Sequence, residues 1–360
     1  MKIESLRGRI PLPGGFQPVE ISFDSKIIGL KEIADSPNLP IISMGLIDTH
    51  THGNSGVAVS ARMEDLEAIS MAASKRGVTR SILSLVSSSI EDELACLESA
   101  SQLEAGLGVI GIHLEGPFIS HSRRGAHNPS HIRDPDEKEL KKITSYSSLA
   151  SITIDPAKFS SKQISELSKV CVVAIGHTEA NYKESLRAFD SGATVLTHAL
   201  NAMPQLKSRE PGPLGAALES GAFVEIIADG EHLSPVVAKA IAAAAGEKLI
   251  LVTDSMAAAG ASDGRYSLGG VEIAVEHGVA RKLDDGALAG STLSLDLAIR
   301  NLITWGFAPH LALRAASVNP AKAYGVSNYD FVLGGEADFV VWDSDFIAQS
   351  VYQRGFLLKR

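Results

Sequence analysis

Six residues of metal-binding type close apolar runs along this chain. The first run, Ile41–His50, ends ID-TH-TH and supplies His50 and His52. The run Val109–Glu115 ends in Glu115, AIGH ends in His177, LTH ends in His198, and LVTD ends in Asp254. In an HxH strand the two imidazoles point to the same face and can reach one ion. Four imidazoles and two carboxylates suit Zn²⁺ or a similar divalent cation. A buried polar group without a partner costs about 1–3 kcal/mol. A shared cation removes that cost for several groups at once, so the set reads as a metal site of hydrolytic type rather than as unrelated strand ends.

Such a set needs a scaffold that gathers the strand ends. Apolar, β-branched runs fall at 41–50, 80–86, 109–115, 149–155, 170–177, 194–198, 224–229 and 249–254. Helical patterns lie between them, as at 64–75, 91–104, 136–142, 179–189 and 235–245. About eight β/α repeats over ~200 residues predict a TIM (β/α)8 barrel, whose strand ends share one mouth. A doubly wound sheet would show a glycine-rich dinucleotide loop after its first strand; here that strand ends in HxH. Residues 260–290 break the rhythm and predict a β insertion. Helices are expected to return at 293–305 and 310–318, with Pro320 ending that region. Residues 1–44 read as short strands with turns, and the tail FVLGGEADFVVWDSD as strand, turn, strand. A lone two-stranded piece is marginal, so the expectation is a small β-sandwich from both chain ends, 1–44 with 326–360, around a barrel at 45–325.

Composition narrows the function. The 360 residues are 45% hydrophobic with a formal net charge of −9, which argues against general affinity for nucleic acid or an anionic membrane. An anionic substrate would need local positive charge. Two cysteines, Cys96 and Cys171, make neither a disulfide framework nor a zinc ribbon. The N-terminus MKIESLRGRI lacks the apolar core of a signal peptide, and no run reaches membrane-span length, so the expected compartment is the cytoplasm.

GLIDTHTHG, GIHLEGPFIS with RRGAHNP, AIGHTEA, THALNAMP with REPG, IADGEHLSP and VTDSMAAAG together resemble the N-acetylglucosamine-6-phosphate deacetylase family of the amidohydrolase superfamily. The resemblance runs from 45 to about 320. It implies hydrolytic removal of acetyl from an amino-sugar 6-phosphate. It makes Glu115, His177 and His198 the characteristic metal ligands, with His50 and His52 either supporting the site or holding a second ion that shares Glu115. Zn²⁺ is the expected ion, with Fe²⁺ the alternative, in one or two copies. Asp254 matches the catalytic aspartate, which takes a proton from water and delivers one to the departing amine. His127 matches the residue that polarises the acetyl carbonyl. Ala126, Asn201, Ala202, Arg209, His232, Leu288, Ala289 and Gly290 match sugar-phosphate contacts, Arg209 as a fork for phosphate. In relatives the histidine can come from a neighbouring subunit, which implies a homodimer. His113 reads as core or as support for the site, His121 and His131 as solvent-exposed, and Asp48 as an orienting carboxylate.

Two other readings stay open at this level. One is a deacetylase for N-acetylgalactosamine 6-phosphate or another N-acyl compound. The other is a non-catalytic scaffold on the same barrel, although such a scaffold should have lost ligands that are all present here.

Overall fold

The structure is a computed structural model and describes residues 3–104 and 108–359; Met1, Lys2 and Arg360, at the ends of the expected small β half, lie outside the described residues. Eight parallel strands form one sheet in chain order: Leu46–Thr51, Val78–Val86, Val109–Glu115, Leu149–Ile154, Val172–Ile175, Val195–Leu196, Phe223–Ile227 and Leu249–Val252. The barrel closes at its mouth, where the Asp254 N–H donates to the His50 carbonyl (2.8 Å) and the His52 N–H to the Ser255 carbonyl (2.7 Å). First and last strands are therefore tied through candidate site residues at their ends. Inside and around the barrel lies one apolar cluster that includes Leu46, Leu83, Ile112, Ile152, Val173, Val224 and Leu251.

The chain ends build a second, seven-stranded and mostly antiparallel sheet, in which Phe339–Trp342 runs antiparallel to Ile41–Met44. It curls over its own core, so that the Phe23 ring meets Phe339 at 5.2 Å and Tyr352 at 5.6 Å, both edge to face. The run expected as one strand over 41–50 is two strands that belong to different sheets. Gly45 makes the transfer. A Cβ there would lie 2.1 Å from Thr79 Oγ1 and 2.8 Å from Tyr329 Oη, so only glycine fits between the two sheets.

The expected β insertion is a three-stranded antiparallel sheet, Gly264–Leu268, Val271–Glu276 and Val279–Lys282. Its apolar face (Leu268, Ile273, Val275, Ala280) packs with Val86, Ala126, Met256 and Ala289 over the barrel mouth. Pro320 does not end the helical region; it lies inside a short helix, Val318–Ala323, near enough to the start that its missing N–H costs no bond. Among the described residues no helix is long and apolar enough to cross a membrane.

Candidate active site

Each ligand candidate sits where a strand gives way to its loop. His177, His198 and Asp254 follow short strands, with φ of +45°, +29° and +47°. Non-glycine residues rarely hold such angles, and they persist where surrounding structure fixes them for a purpose. The turn swings each side chain inward to Glu115, the last residue of the third strand. Glu115 Oε1 lies 3.0 Å from His198 Nε2, 3.1 Å from His177 Nε2 and 3.3 Å from His50 Nε2. Its Oε2 lies 3.2 Å from His52 Nε2 and 3.1 Å from His127 Nε2. Asp254 Oδ1 lies 3.2 Å from His52 Nε2. All these groups are buried. Two donor sets result, His50–His52–Asp254 and Glu115–His177–His198, with Glu115 between them.

The tautomers fit a cation. His52 Nδ1–H donates to the Ser84 carbonyl (2.9 Å) and His177 Nδ1–H to the Arg123 carbonyl (2.7 Å). In the neutral ring each Nε2 then carries a bare lone pair aimed at the cluster. His198 and His177 bring their Nε2 atoms to 3.0 Å, and His50 and His52 to 3.2 Å. Lone pairs that close repel unless positive charge stands between them. The carboxylates demand the same charge. Burial would lower His50 and His52, yet Glu115 and Asp254 hold His50 well above its ordinary value and His52 at about 9. Burial likewise opposes ionisation of Glu115 and Asp254, and the imidazoles around them, His50 foremost, bring both below the usual carboxylate range. A divalent cation supplies that charge without protonating the rings.

His127 is held differently. The Ser87 N–H donates to its Nδ1 (3.1 Å), and Ser87 Oγ lies 2.8 Å from the same atom. Its proton is therefore on Nε2, facing the cluster. Burial brings the ring down to about 4, even against the pull of Glu115, so it is a neutral donor at ordinary pH.

These groups open into a cavity of about 300 Å³ lined also by Ser122, Arg123, Ala126, Asn201, Ala202, His232, Leu288 and Gly290. His232 Nδ1 meets Asp229 Oδ2 at 2.6 Å; burial opposes charge on the ring, but Asp229 raises it above its ordinary value. His232 lines the cavity of its own chain. Two residues of the expected substrate set do not line this cavity. Arg209 is exposed on the loop 205–210 and does not line the cavity; Glu210 beside it turns away to accept the Tyr182 N–H (2.7 Å). Ala289 is buried in the apolar cluster beneath the insertion, while its neighbours Leu288 and Gly290 line the cavity.

His113 is core: its nitrogens meet Ser84 Oγ (2.9 Å) and Thr153 Oγ1 (2.8 Å). Asp48 accepts from Thr253 Oγ1 (2.6 Å) and from the N–H groups of Thr253 and His50 (each 3.3 Å), fixing the HxH turn. His121 is exposed, but His131 is half-buried. Sequence reasoning missed Arg123, Ser87 and Glu225. Glu225, buried in the seventh strand, accepts from Thr49 Oγ1 (3.1 Å) and Tyr324 Oη (3.3 Å) and stands 3.5 Å from His50 Nδ1. A carboxylate within the apolar run FVEII was its available signal. Arg123 and Ser87 carried none, since both lie among other polar loop residues.

Residues 41–355 match the model of the amidohydrolase family. The N-acetylgalactosamine-6-phosphate deacetylase of Escherichia coli is 37% identical over 327 residues, 86% of this chain and 86% of that protein. The N-acetylglucosamine-6-phosphate deacetylase of Vibrio furnissii is 32% identical over 327 residues, 87% of this chain and 82% of that protein. Among solved structures, the N-acetyl-D-glucosamine-6-phosphate deacetylase of Mycobacterium smegmatis is 34% identical and superposes with a TM-score of 0.93 over 100% of both chains. That structure is an aspartate-to-alanine mutant in complex with N-acetyl-D-glucosamine-6-phosphate.

Proposed function

Because the chain belongs to the amidohydrolase family, we propose that it removes the acetyl group from N-acetylglucosamine 6-phosphate, giving glucosamine 6-phosphate and acetate. The observation that carries this is the meeting, in one cavity, of two buried donor sets, a buried carboxylate, a neutral imidazole donor and a rim that includes His232 and Arg123. Glu115, His177 and His198 would hold one divalent ion, and His50, His52 and Asp254 a second. Imidazole and carboxylate donors favour Zn²⁺, with Fe²⁺ the alternative. When bound, the ion supplies Lewis acidity, which acidifies water and polarises a carbonyl.

The protein's own groups do the rest. Asp254, held ionised, accepts the proton of the attacking water and returns a proton to the amine, which leaves poorly unless protonated. His127 Nε2–H donates to the acetyl oxygen as negative charge develops there. His232, whose pKa Asp229 raises, takes the phosphate with Asn201, Ala202 and Arg123. We place the enzyme in the cytoplasm as a homodimer. Arg209, exposed and outside its own cavity, is then free to reach a partner subunit's phosphate.

Acetate release from both epimeric N-acetylhexosamine 6-phosphates, with and without chelator, tests this reading. Chelator-sensitive release with the gluco epimer ahead is expected. Identical behaviour of chelated and metal-loaded protein would end it.

His127→Gln should lower kcat about 10²–10³-fold with little change in KM, as loss of one oxyanion donor does. The ring's folded value lies below its unfolded one. Its contribution to stability is therefore complete above about 6.5 and fades as pH falls toward 4. In the Gln variant, acid unfolding monitored between pH 6.5 and 4 should be correspondingly shallower.

A further inference from the structure

We propose that Val86 and Leu268 form the wall that admits an acetyl group and rejects longer acyl chains; the proposal rests on the deacetylase reading above. Val86 ends the second barrel strand in register with Glu115 of the third. The next residue, Ser87, holds His127 through its N–H. Val86 thus stands beside both the shared carboxylate and the donor expected at the carbonyl oxygen. Leu268 ends the first strand of the insertion, and both side chains are buried in the same apolar cluster.

Two cavities meet at these side chains. Val86, Leu268 and His52 line the active-site cavity, and the same three line a second cavity of about 390 Å³. That cavity is lined also by Val59, Ala61 and Leu85, with Ser60, Asn128 and His131 among its polar groups. The two cavities thus adjoin at the same side chains, with space on either side of them. The wall is also pressed from the insertion: at Gly269, φ +56°, a Cβ would fall 2.5 Å from Val86 Cγ2.

The substrate's geometry points the acyl chain at this wall. The three substituents of an amide carbon lie in one plane about 120° apart. The oxygen faces His127, and the nitrogen leads to the sugar, whose phosphate is taken near Asn201 and His232. The methyl takes the third direction, toward the apolar side of the cavity next to His127, which Val86 and Leu268 form together with the small Ala126. Acetyl is accommodated, and each further methylene must displace a packed side chain.

The test measures kcat/KM for N-acetyl-, N-propionyl- and N-butyrylglucosamine 6-phosphate with metal-loaded wild type, Val86→Ala, Leu268→Ala and Val86→Ile. One methylene in an apolar pocket is worth roughly 10–200-fold in discrimination. Wild type should lose about tenfold or more per added methylene. The alanine variants should raise the butyryl-to-acetyl ratio about tenfold or more. Val86→Ile, which thickens the wall, should lower the propionyl-to-acetyl ratio. Using ratios within one variant removes any general loss of activity, and the two alanine variants sit on different elements, so misfolding of one leaves the other. Ratios within twofold of wild type in both alanine variants, with acetate release intact, would overturn the wall. Wild type hydrolysing none of the three amides would instead bring down the deacetylase reading beneath it.

Discussion

Asp254→Asn is expected to lower kcat about 10³-fold, inside the 10²–10⁴ range of positioned proton transfer, with KM little changed. Asn keeps the shape of the side chain and removes its ability to take a proton. The native carboxylate suits that work because it is ionised throughout the working range. Burial opposes its charge, but His50 and His52 hold it below the ordinary carboxylate range. It also lies at the edge of the cluster where the cavity begins, 3.2 Å from His52 Nε2. The Glu115–His177–His198 set does not include Asp254, so the variant should keep at least one equivalent of metal. Acetate release and metal content measured on the same preparation decide the case. Wild-type kcat would hand the proton to another group. Less than one equivalent of metal would make Asp254 a ligand first and a base second.

The legible part of this molecule is the part in which one residue type does two jobs. His177, His198 and Asp254 mark both the end of an apolar run and a candidate site residue, so the strands Val172–Ile175, Val195–Leu196 and Leu249–Val252 and the candidate site emerge together. The β/α alternation then fixes the barrel, because parallel neighbours need helical crossovers. Elements without such coincidence were less visible. Gly212–Ser220 opens on Gly-Pro and carries no strand-end residue, yet it is a helix in which Pro213 sits in the first turn, where its missing N–H needs no partner. Ser161–Leu167 is only seven residues and announces itself chiefly through the Ser160–Gln163 capping box. The apolar triplet Phe331–Leu333 reads as strand but turns. Leu333 is 69% exposed, and a Cβ at Gly335 would lie 2.8 Å from the carbonyls of Asp330 and Val332. Arg209 shows a different limit. Its motif pointed to a phosphate contact, but a motif cannot say on which side of a loop a long side chain stands, or in which subunit's cavity it ends.

Glu115→Gln should abolish turnover, by about 10³-fold or more, through loss of metal rather than loss of a base. A bound Lewis acid is worth several kcal/mol in the transition state, and each 1.4 kcal/mol is tenfold in rate. Glu115 touches much of the site: His50, His52, His127, His177 and His198 all approach its two oxygens within 3.3 Å. Gln preserves the volume but removes the charge that both donor sets share, so metal content should fall below one equivalent. Thermal unfolding supplies a readout independent of catalysis. A ligand at a thousand times its Kd stabilises the native state by about 4.1 kcal/mol, so a chelator should lower the wild-type Tm by several degrees. The variant has little bound metal to lose, and its Tm should not respond to the chelator. A Gln variant that binds metal fully and still loses its activity would reassign Glu115 from holding the ion to handling protons beside Asp254. A variant that is fully active would mean that the imidazoles alone hold the ion, and the shared-carboxylate arrangement would fail.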